Sequence, residues 1–307
     1  MYKSKKYNTV LVLLVLIISM VVGISTGMTK IVPSFDDNLD NTGGGEFQEV
    51  KDLPPGTKKP GADAGAYERL AFAFKILEEG NGFTSVGQQA ITAVNHTQYT
   101  YYKRYRAKEF DVVEEWYKLD GALSSLGMNQ FITRHSDGNI MKNIKITNAA
   151  NYNYNALTYN TENAEKYSFT VDNWVNEQNY MPVNNFFTTI NKETSSLLFY
   201  DGKGYDKTYY TVKVSLDNSK LDKKFMALFD NIGIGSVKIG TIIVEFKIDK
   251  KTGFFLGFEV KGTLNASYLG MTADCSLIFK ETYNSMNSSS VKAQIDNLYN
   301  KNFKDIA

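Results

Sequence analysis

The chain has 307 residues, a hydrophobic fraction of 43% and a formal net charge of +1 at pH 7. A charge this close to zero excludes a dedicated nucleic-acid binder, and the hydrophobic fraction is that of a chain that builds a full core. The single cysteine, Cys275, excludes an intramolecular disulfide.

The N-terminus combines a basic start with a long apolar run. Three lysines lie among the first six residues, and the apolar run begins at Val10, a pattern typical of an export signal. A helix of about 20 residues is long enough to span a bilayer core, whereas Gly23 and Ser25 have the spacing that a signal peptidase prefers. Residues 1–28 are therefore predicted to be a cleaved signal peptide or an N-terminal membrane anchor. Both predict that the rest of the chain is extracytoplasmic.

Residues 29–63 differ in composition from the rest of the chain. They contain four of the five prolines and the run Gly43-Gly44-Gly45. Such a polar, proline- and glycine-containing stretch predicts a flexible linker. The folded domain is predicted to cover residues 64–307.

A helix and five strands are predicted in the first half of the domain. Apolar residues recur at helical spacing from Tyr67 to Leu77 in the set Tyr67, Leu70, Ala71, Phe74 and Leu77, and Gly80 can end the helix. Period-two patterns predict strands at residues 84–94, 98–106, 110–119, 129–135 and 140–147. Residues 148–163, rich in Asn and Tyr, predict an exposed loop.

The strand at residues 98–106 interleaves tyrosines with cations. Tyr101 and Tyr105 alternate with Tyr102 and Arg104 on opposite faces. Aromatic rings beside cations are suited to stacking on bases or sugar rings. The alternative is a tyrosine-rich strand whose Lys and Arg side chains are solvated.

The second half of the domain is predicted to contain helices, then a meander. Short helices are predicted near Trp174 and from Pro182 to Ile190, and a further helix from Leu221 to Ile232. Strands are predicted at residues 195–200, 207–216, 237–248, 254–264 and 271–279, with a tight turn at residues 249–253 and a C-terminal helix at residues 291–303.

Few side chains in the sequence are suited to catalysis. The two histidines, His96 and His135, have no metal-ligand spacing, and Cys275 has no neighbouring histidine. Glu114 and Glu115 are adjacent on a predicted strand and face opposite ways, so they cannot act as a carboxylate pair. The sequence therefore predicts neither an enzyme nor a cofactor or metal site.

Two stretches resemble the LolA-like superfamily of bacterial cell-envelope proteins. They are YYTVKVSLDNSKLDKKFMALF from Tyr209 and VEFKIDKKTGFFLGFEV from Val244, in a chain with the same order of export signal, linker, helix and long strands. The superfamily groups periplasmic lipoprotein carriers with LppX-type lipoproteins and cell-surface lipoproteins of Gram-positive bacteria. The resemblance covers residues 64–283. This chain departs from many relatives because it has no lipobox cysteine.

The resemblance implies an α+β fold with a strongly curved antiparallel β-sheet. The sheet would form an open half-barrel with helices on its concave face, leaving an apolar cavity. The implied function is to bind or shuttle a lipid, a lipoprotein or another hydrophobic ligand at the cell envelope. Seven aromatic and aliphatic side chains are the candidate lining of that cavity: Phe225, Phe229, Ile242, Phe246, Phe254, Leu256 and Phe258.

An alternative function is a surface binding or adhesion module. It would recognise cell-wall glycan or a protein partner through exposed aromatic strands, with Tyr101 and Tyr105 as the contact residues. Under either function, the predicted partners are a lipid or acylated ligand, or a cell-wall or membrane protein, and not nucleic acid. The N-terminal segment would lie in or pass through the membrane.

Overall fold

Two helices and thirteen strands occur in the part of the chain that the structure describes. This computed structural model describes residues 52–93, 96–120, 130–147, 152–153, 158–170, 195–200, 208–216, 236–268 and 271–307. The helices are α1 (Ala66–Glu79) and α2 (Ser290–Asn302). The strands are β1 (Phe83–Ala93), β2 (His96–Ala107), β3 (Phe110–Asp120), β4 (Gln130–Ser136), β5 (Ile140–Ile146), β6 (Tyr152–Asn153), β7 (Thr158–Tyr159), β8 (Glu165–Thr170), β9 (Ser195–Tyr200), β10 (Tyr209–Leu216), β11 (Ser236–Asp249), β12 (Phe255–Tyr268) and β13 (Met271–Met286).

Eleven of these strands form one open antiparallel sheet. Their order is β8-β5-β4-β3-β2-β1-β13-β12-β11-β10-β9, and the short strands β6 and β7 pair with each other. β1 pairs with β2 on one side and with β13 on the other, so the two ends of the domain meet in the middle of the sheet. The fold is a mostly-sheet α+β fold, as predicted.

Most predicted strands are confirmed, with small differences at their ends. The strands missing from the prediction are β8 and the short pair β6 and β7. β13 also continues to Met286, well past the predicted end at residue 279. That extension pairs with the first residues of β1, a contact between distant parts of the chain that local alternation does not reveal.

The predicted turn between β11 and β12 is confirmed. Asp249 Oδ1 accepts hydrogen bonds from the Thr252 backbone N–H at 2.6 Å and from Thr252 Oγ1 at 2.7 Å. Gly253 has a φ of 80°, which a residue with a side chain rarely adopts. The strand register shifts directly after this turn, where Phe255 pairs with Ile248 and Gly257 pairs with Lys247. Leu256 is the extra residue, so it leaves the predicted alternation.

α1 packs against one side of the sheet, here called the α1 face. Val244, Phe246 and Phe258 point to this side and are buried in one apolar cluster with the helix. The ring of Phe74 lies edge-on to Phe246, with centroids 5.6 Å apart. The apolar side chains on this half of the sheet, from β10 to β13, are therefore covered by α1.

The buried side of α1 is rotated from the predicted stripe. Leu70 and Leu77 are buried as expected, but Ala71 is exposed. The remaining core-facing apolar residues of the helix are Phe72, Ala73 and Ile76. A single stripe at i, i+3 and i+4 underestimates how much of a helix is buried when the helix lies on a broad sheet, because neighbouring rows of side chains also become buried.

α2 packs against the opposite side of the sheet, here called the α2 face. Tyr101 points away from the α1 face and is buried there with Trp116 and Phe131. On the same side, Val291 and Ile295 of α2 are fully buried in a second cluster. The two described helices thus lie on opposite faces and at opposite halves of the sheet. Only one of them can lie on the concave side of a bent sheet.

Part of the predicted exposed loop is packed on the α2 face. The ring of Tyr159 in β7 stacks on Phe131 at a centroid distance of 4.0 Å. Its hydroxyl donates to Glu114 Oε1 at 2.9 Å and accepts from Asn302 Nδ2 at 3.1 Å. The prediction of an exposed loop is therefore wrong at Tyr159, because one aromatic ring with two polar partners is enough to hold the segment.

The end of the predicted linker contacts the domain. The Arg69 guanidinium donates hydrogen bonds to the backbone oxygens of Gly61, Ala62 and Ala64 at 2.7 to 3.1 Å. It also lies 4.1 Å from the ring centroid of Tyr210. One buried cation therefore fixes the chain that leads into α1.

Several predicted elements lie outside the described residues. They are residues 1–28, the helix near Trp174, the helix from Pro182 to Ile190 and the helix from Leu221 to Ile232. Within the described part of the chain, no helix has the length and hydropathy needed to cross a membrane.

His135 lies beneath α2, and we expect its titration to make stability depend on pH. Its ring is 4.6 Å from Tyr299 and 5.7 Å from Phe303, between centroids. Burial lowers the pKa of His135 to about 4; the nearby charges of Lys142 and Lys292 also lower it, while Asp137 and Asp296 oppose the shift. Because the unfolded histidine titrates near 6.5, the unfolded state binds more protons below that pH and stability falls on acidification.

We expect His135→Gln to reduce this pH dependence. The wild type should lose about 2 kcal/mol of unfolding free energy through His135 between pH 7.5 and pH 4.5, after discounting for solvent screening. The variant should lose about 2 kcal/mol less unfolding free energy than the wild type over this pH range. Both proteins still lose some stability, because their carboxylates titrate as well. Urea unfolding at the two pH values measures the difference. Equal losses in both proteins would show that His135 is not held neutral by its burial.

Candidate functional site

The structure places most of the predicted cavity residues in the core beneath α1. Ile242, Phe246, Phe254 and Phe258 are at most 4% exposed. Leu256 is partly buried at the register shift. The remaining two, Phe225 and Phe229, lie outside the described residues. That these side chains contact a ligand stays a prediction.

The tyrosine-rich strand does not present the expected exposed rings. Tyr101 is 7% exposed, and its hydroxyl accepts a hydrogen bond from Gln88 Nε2 at 2.8 Å. Tyr105 packs against the cluster that contains α2. Arg104, expected to be solvated under the other interpretation, is 7% exposed. The glycan-binding alternative stays a prediction; Tyr101 gives it almost no exposed contact surface, and Tyr105 is only partly exposed.

A group of polar side chains lies next to the apolar cluster on the α1 face. Ser85, Tyr102, Arg104, Glu281 and Tyr283 are each at most 8% exposed, and they are called the Glu281 cluster below. Direct cross-strand partners point to the same face of a sheet. Ser85 pairs with Tyr283 on one side and with Arg104 on the other, so three strands contribute to one row.

Gly87 allows the ring of Tyr102 to reach across β1. Gly87 pairs with Tyr102 on β2 and with Glu281 on β13. A Cβ atom at Gly87 would lie 2.0 Å from Cζ of Tyr102, so the ring occupies the space that a side chain would fill. The Tyr102 hydroxyl donates to Glu281 Oε2 at 2.6 Å. Glycine in the middle of a strand thus permits a bond between side chains two strands apart.

The phenols of the cluster are held in the neutral form. Burial raises the pKa of Tyr102 well above its usual value, and the charge of Glu281 raises it further, while Arg104 opposes the shift. Burial and Glu281 also raise the pKa of Tyr283. Both hydroxyls therefore remain hydrogen-bond donors across the physiological pH range.

Further charges lie beside the Glu281 cluster on the α1 face. The Arg134 guanidinium forms an ion pair with Glu115, and the Tyr117 hydroxyl donates to the same carboxylate at 3.0 Å. Burial raises the pKa of Asp111, and the guanidinium groups of Arg104, Arg106 and Arg134 oppose the shift. These groups and the Glu281 cluster together comprise three arginines and three carboxylates, so their formal charge is balanced when all six are ionised.

Several buried polar atoms in the cluster have no hydrogen-bond partner among the described residues. They include Ser85 Oγ, Glu281 Oε1 and the Tyr283 hydroxyl. A buried polar atom without a partner costs about 1 to 3 kcal/mol. Three such atoms in neighbouring register positions indicate a place where a further polar group would be stabilised.

The thiol of Cys275 is poorly suited to covalent chemistry. Burial raises the pKa of the Cys275 thiol to about 11, which keeps this thiol protonated and poorly nucleophilic. Among the described residues, no three His, Cys, Asp or Glu side chains are placed to hold a metal ion. Glu281 has hydrogen-bonding capacity left, and its neighbours are hydroxyl groups.

Gly87 is the one feature of the local sequence that points to this cluster. Gly87 interrupts the alternation of β1 at its centre, and an interior glycine often marks a close approach of another group. The local sequence does not show which group approaches Gly87, because Glu281 is distant in the chain.

No protein-family model matches this chain, and no curated protein matches it.

Proposed function

We propose that this protein is an extracytoplasmic cell-envelope protein that binds an amphiphile along the α1 face. The single observation that supports this most strongly is a pair of direct partners on neighbouring strands. Phe258, in the apolar cluster, pairs with Glu281, the centre of the polar cluster. This face of the sheet thus places hydrocarbon directly beside a hydrogen-bonding group at β12 and β13, as an amphiphile joins its chain to its head group.

In this proposal the sheet is an open half-barrel of LolA-like type with α1 on its concave side. The acyl chain would lie beside the aromatic cluster that contains Phe246 and Phe258. Burial of apolar area contributes about 25 cal/mol per Å², so an acyl chain alone supplies ample driving force without any covalent step. The head group would lie over the Glu281 cluster. No catalytic role is proposed for either part.

Residues 1–28 place this binding domain at the envelope in the proposal. The basic start and the apolar run direct the chain into or through the membrane, and the domain follows on the outer side. A protein in this position meets lipids and acylated molecules directly. A bound amphiphile is therefore the ligand that both the location and the two-part face support.

Substituting Phe258 tests whether the ligand lies at the boundary. We expect Phe258→Leu to lower the affinity for a dansyl-labelled monoacylglycerol by about tenfold, the effect of losing roughly 1.4 kcal/mol of apolar contact. Phe131→Leu is the matched control, because Phe131 is equally buried but lies on the α2 face. Fluorescence titration of both variants measures the affinities. Equal affinities in the two variants would place the ligand elsewhere.

A further inference from the structure

We propose that the Glu281 cluster binds a neutral, hydroxyl-bearing head group, such as a glycerol or hexose unit. This inference rests on the proposed function and names the class of amphiphile. It starts from three partnerless atoms in the centre of the cluster, which belong to side chains at most 3% exposed: Ser85, Glu281 and Tyr283.

The hydrogen-bonding pattern of these atoms selects the ligand chemistry. Glu281 Oε1 can only accept a hydrogen bond when the carboxyl is ionised, so its partner must donate. The hydroxyls of Ser85 and Tyr283 both donate and accept. A ligand hydroxyl can donate to Glu281 and accept from Tyr283, whereas an anionic oxygen can only accept. An anionic head group would therefore leave Glu281 Oε1 unsatisfied.

The surrounding charges disfavour a cationic head group. The charges that act on Tyr283 are those of Glu281, Arg104 and Arg106. Asp111 experiences the same two arginines and Arg134. An ammonium group beside Glu281 would thus stand close to guanidinium groups, and burying an unbalanced charge is costly. A neutral group leaves the charge balance of the face unchanged.

Aromatic rings flank the same atoms. The ring of Phe255 stacks with that of Tyr283 at 6.2 Å, and the rings of Tyr102 and Phe279 are 5.9 Å apart, between centroids. These rings offer apolar contact to the carbon atoms of a polyol while Glu281 and the hydroxyls bind its oxygens. Because the cluster is closed to solvent, the face must open for a ligand to enter, and we expect slow association.

Four amphiphiles that share a twelve-carbon chain test this inference on the full chain held in an amphipol. Monolauroylglycerol and dodecyl glucoside carry neutral hydroxyl head groups, laurate is anionic, and dodecyltrimethylammonium is cationic. We expect both neutral compounds to bind at least tenfold more tightly than both charged ones, by calorimetry below the critical micelle concentrations. We expect Tyr283→Phe to weaken binding of the neutral compounds about tenfold, the loss of one good hydrogen bond.

Tyr101→Phe is the control variant, because Tyr101 is a buried tyrosine on the α2 face. It should bind the neutral compounds as the wild type does. Tight binding of a charged compound, or unchanged binding by Tyr283→Phe, would overturn the inference and assign the partnerless atoms to buried water. If none of the four compounds binds, the proposed function fails, and the inference fails with it.

Discussion

Replacing Gly87 by alanine is expected to destabilise the protein by about 3 kcal/mol, from overpacking together with a broken buried hydrogen bond. The added Cβ would lie 2.0 Å from Cζ and 2.2 Å from the hydroxyl oxygen of Tyr102. The ring must therefore move, and its 2.6 Å bond to Glu281 is lost. Glu281 is 1% exposed, so water does not readily replace the lost donor.

Gly262 provides the matched control for this substitution. It also lies in the interior of a strand, but a Cβ there would meet its nearest atoms at 3.6 Å, an ordinary contact distance. We expect Gly262→Ala to change the free energy of unfolding by less than about 0.5 kcal/mol. Urea unfolding of both variants measures the two changes. Similar stabilities of the two variants would contradict the placement of the Tyr102 ring over Gly87.

Tyr102→Phe is expected to lower the free energy of unfolding by about 2 kcal/mol, because a buried carboxylate loses its hydrogen-bond donor. The substitution removes one oxygen and leaves the ring in place. In the wild type the Tyr102 hydroxyl donates to Glu281 Oε2, and Glu281 Oε1 has no partner among the described residues. Both carboxylate oxygens of Glu281 would then lack a donor among these residues.

Tyr283→Phe separates the hydrogen bond from the general effect of removing a hydroxyl. Tyr283 is as buried as Tyr102 and lies in the same cluster, but its hydroxyl has no partner among the described residues. Because a buried hydroxyl without a partner costs about 1 to 3 kcal/mol, we expect its removal to leave stability unchanged or to raise it by up to that amount in the absence of ligand. Thermal unfolding of both variants makes the comparison. A loss as large as that of Tyr102→Phe would mean that Tyr283 has a partner in the free protein.

Local sequence patterns predicted the hairpins of this fold well. The turn from Asp249 to Gly253 has the side-chain acceptor and the glycine that its geometry requires, and the flanking strands alternate clearly. Sheets built from consecutive antiparallel strands have most of their pairing between neighbours in the chain. For these strands, period-two alternation carries enough information to locate the element, though not its last residues.

The sequence could not predict the pairing that creates the candidate site. Tyr102 and Glu281 are 179 residues apart, and they meet only because β1 lies between β2 and β13. Nothing local distinguishes a buried Arg104 from a solvated one, since its neighbours alternate in the same way in both cases. The buried polar cluster therefore depends on the strand order of the whole sheet.

The placement of the helices was predictable only in part. The apolar sides of α1 and α2 are visible in the sequence, and both helices are confirmed. Which side of the sheet each helix covers depends on the register of every strand between them. The charged α2-face residues of the half-sheet beneath α1, such as Lys213 and Glu245, pair directly, and this surface has the polar character that an uncovered sheet face requires.

Native mass spectrometry of the full chain, released from its envelope without added lipid, tests the proposed amphiphile binding most directly. The account predicts a population of protein with one bound lipophilic molecule, which solvent extraction recovers and which carries neutral hydroxyl groups. Phe258→Leu should reduce that population, whereas Phe131→Leu should not. Protein that is wholly free of lipophile, together with an empty extract, would contradict the account.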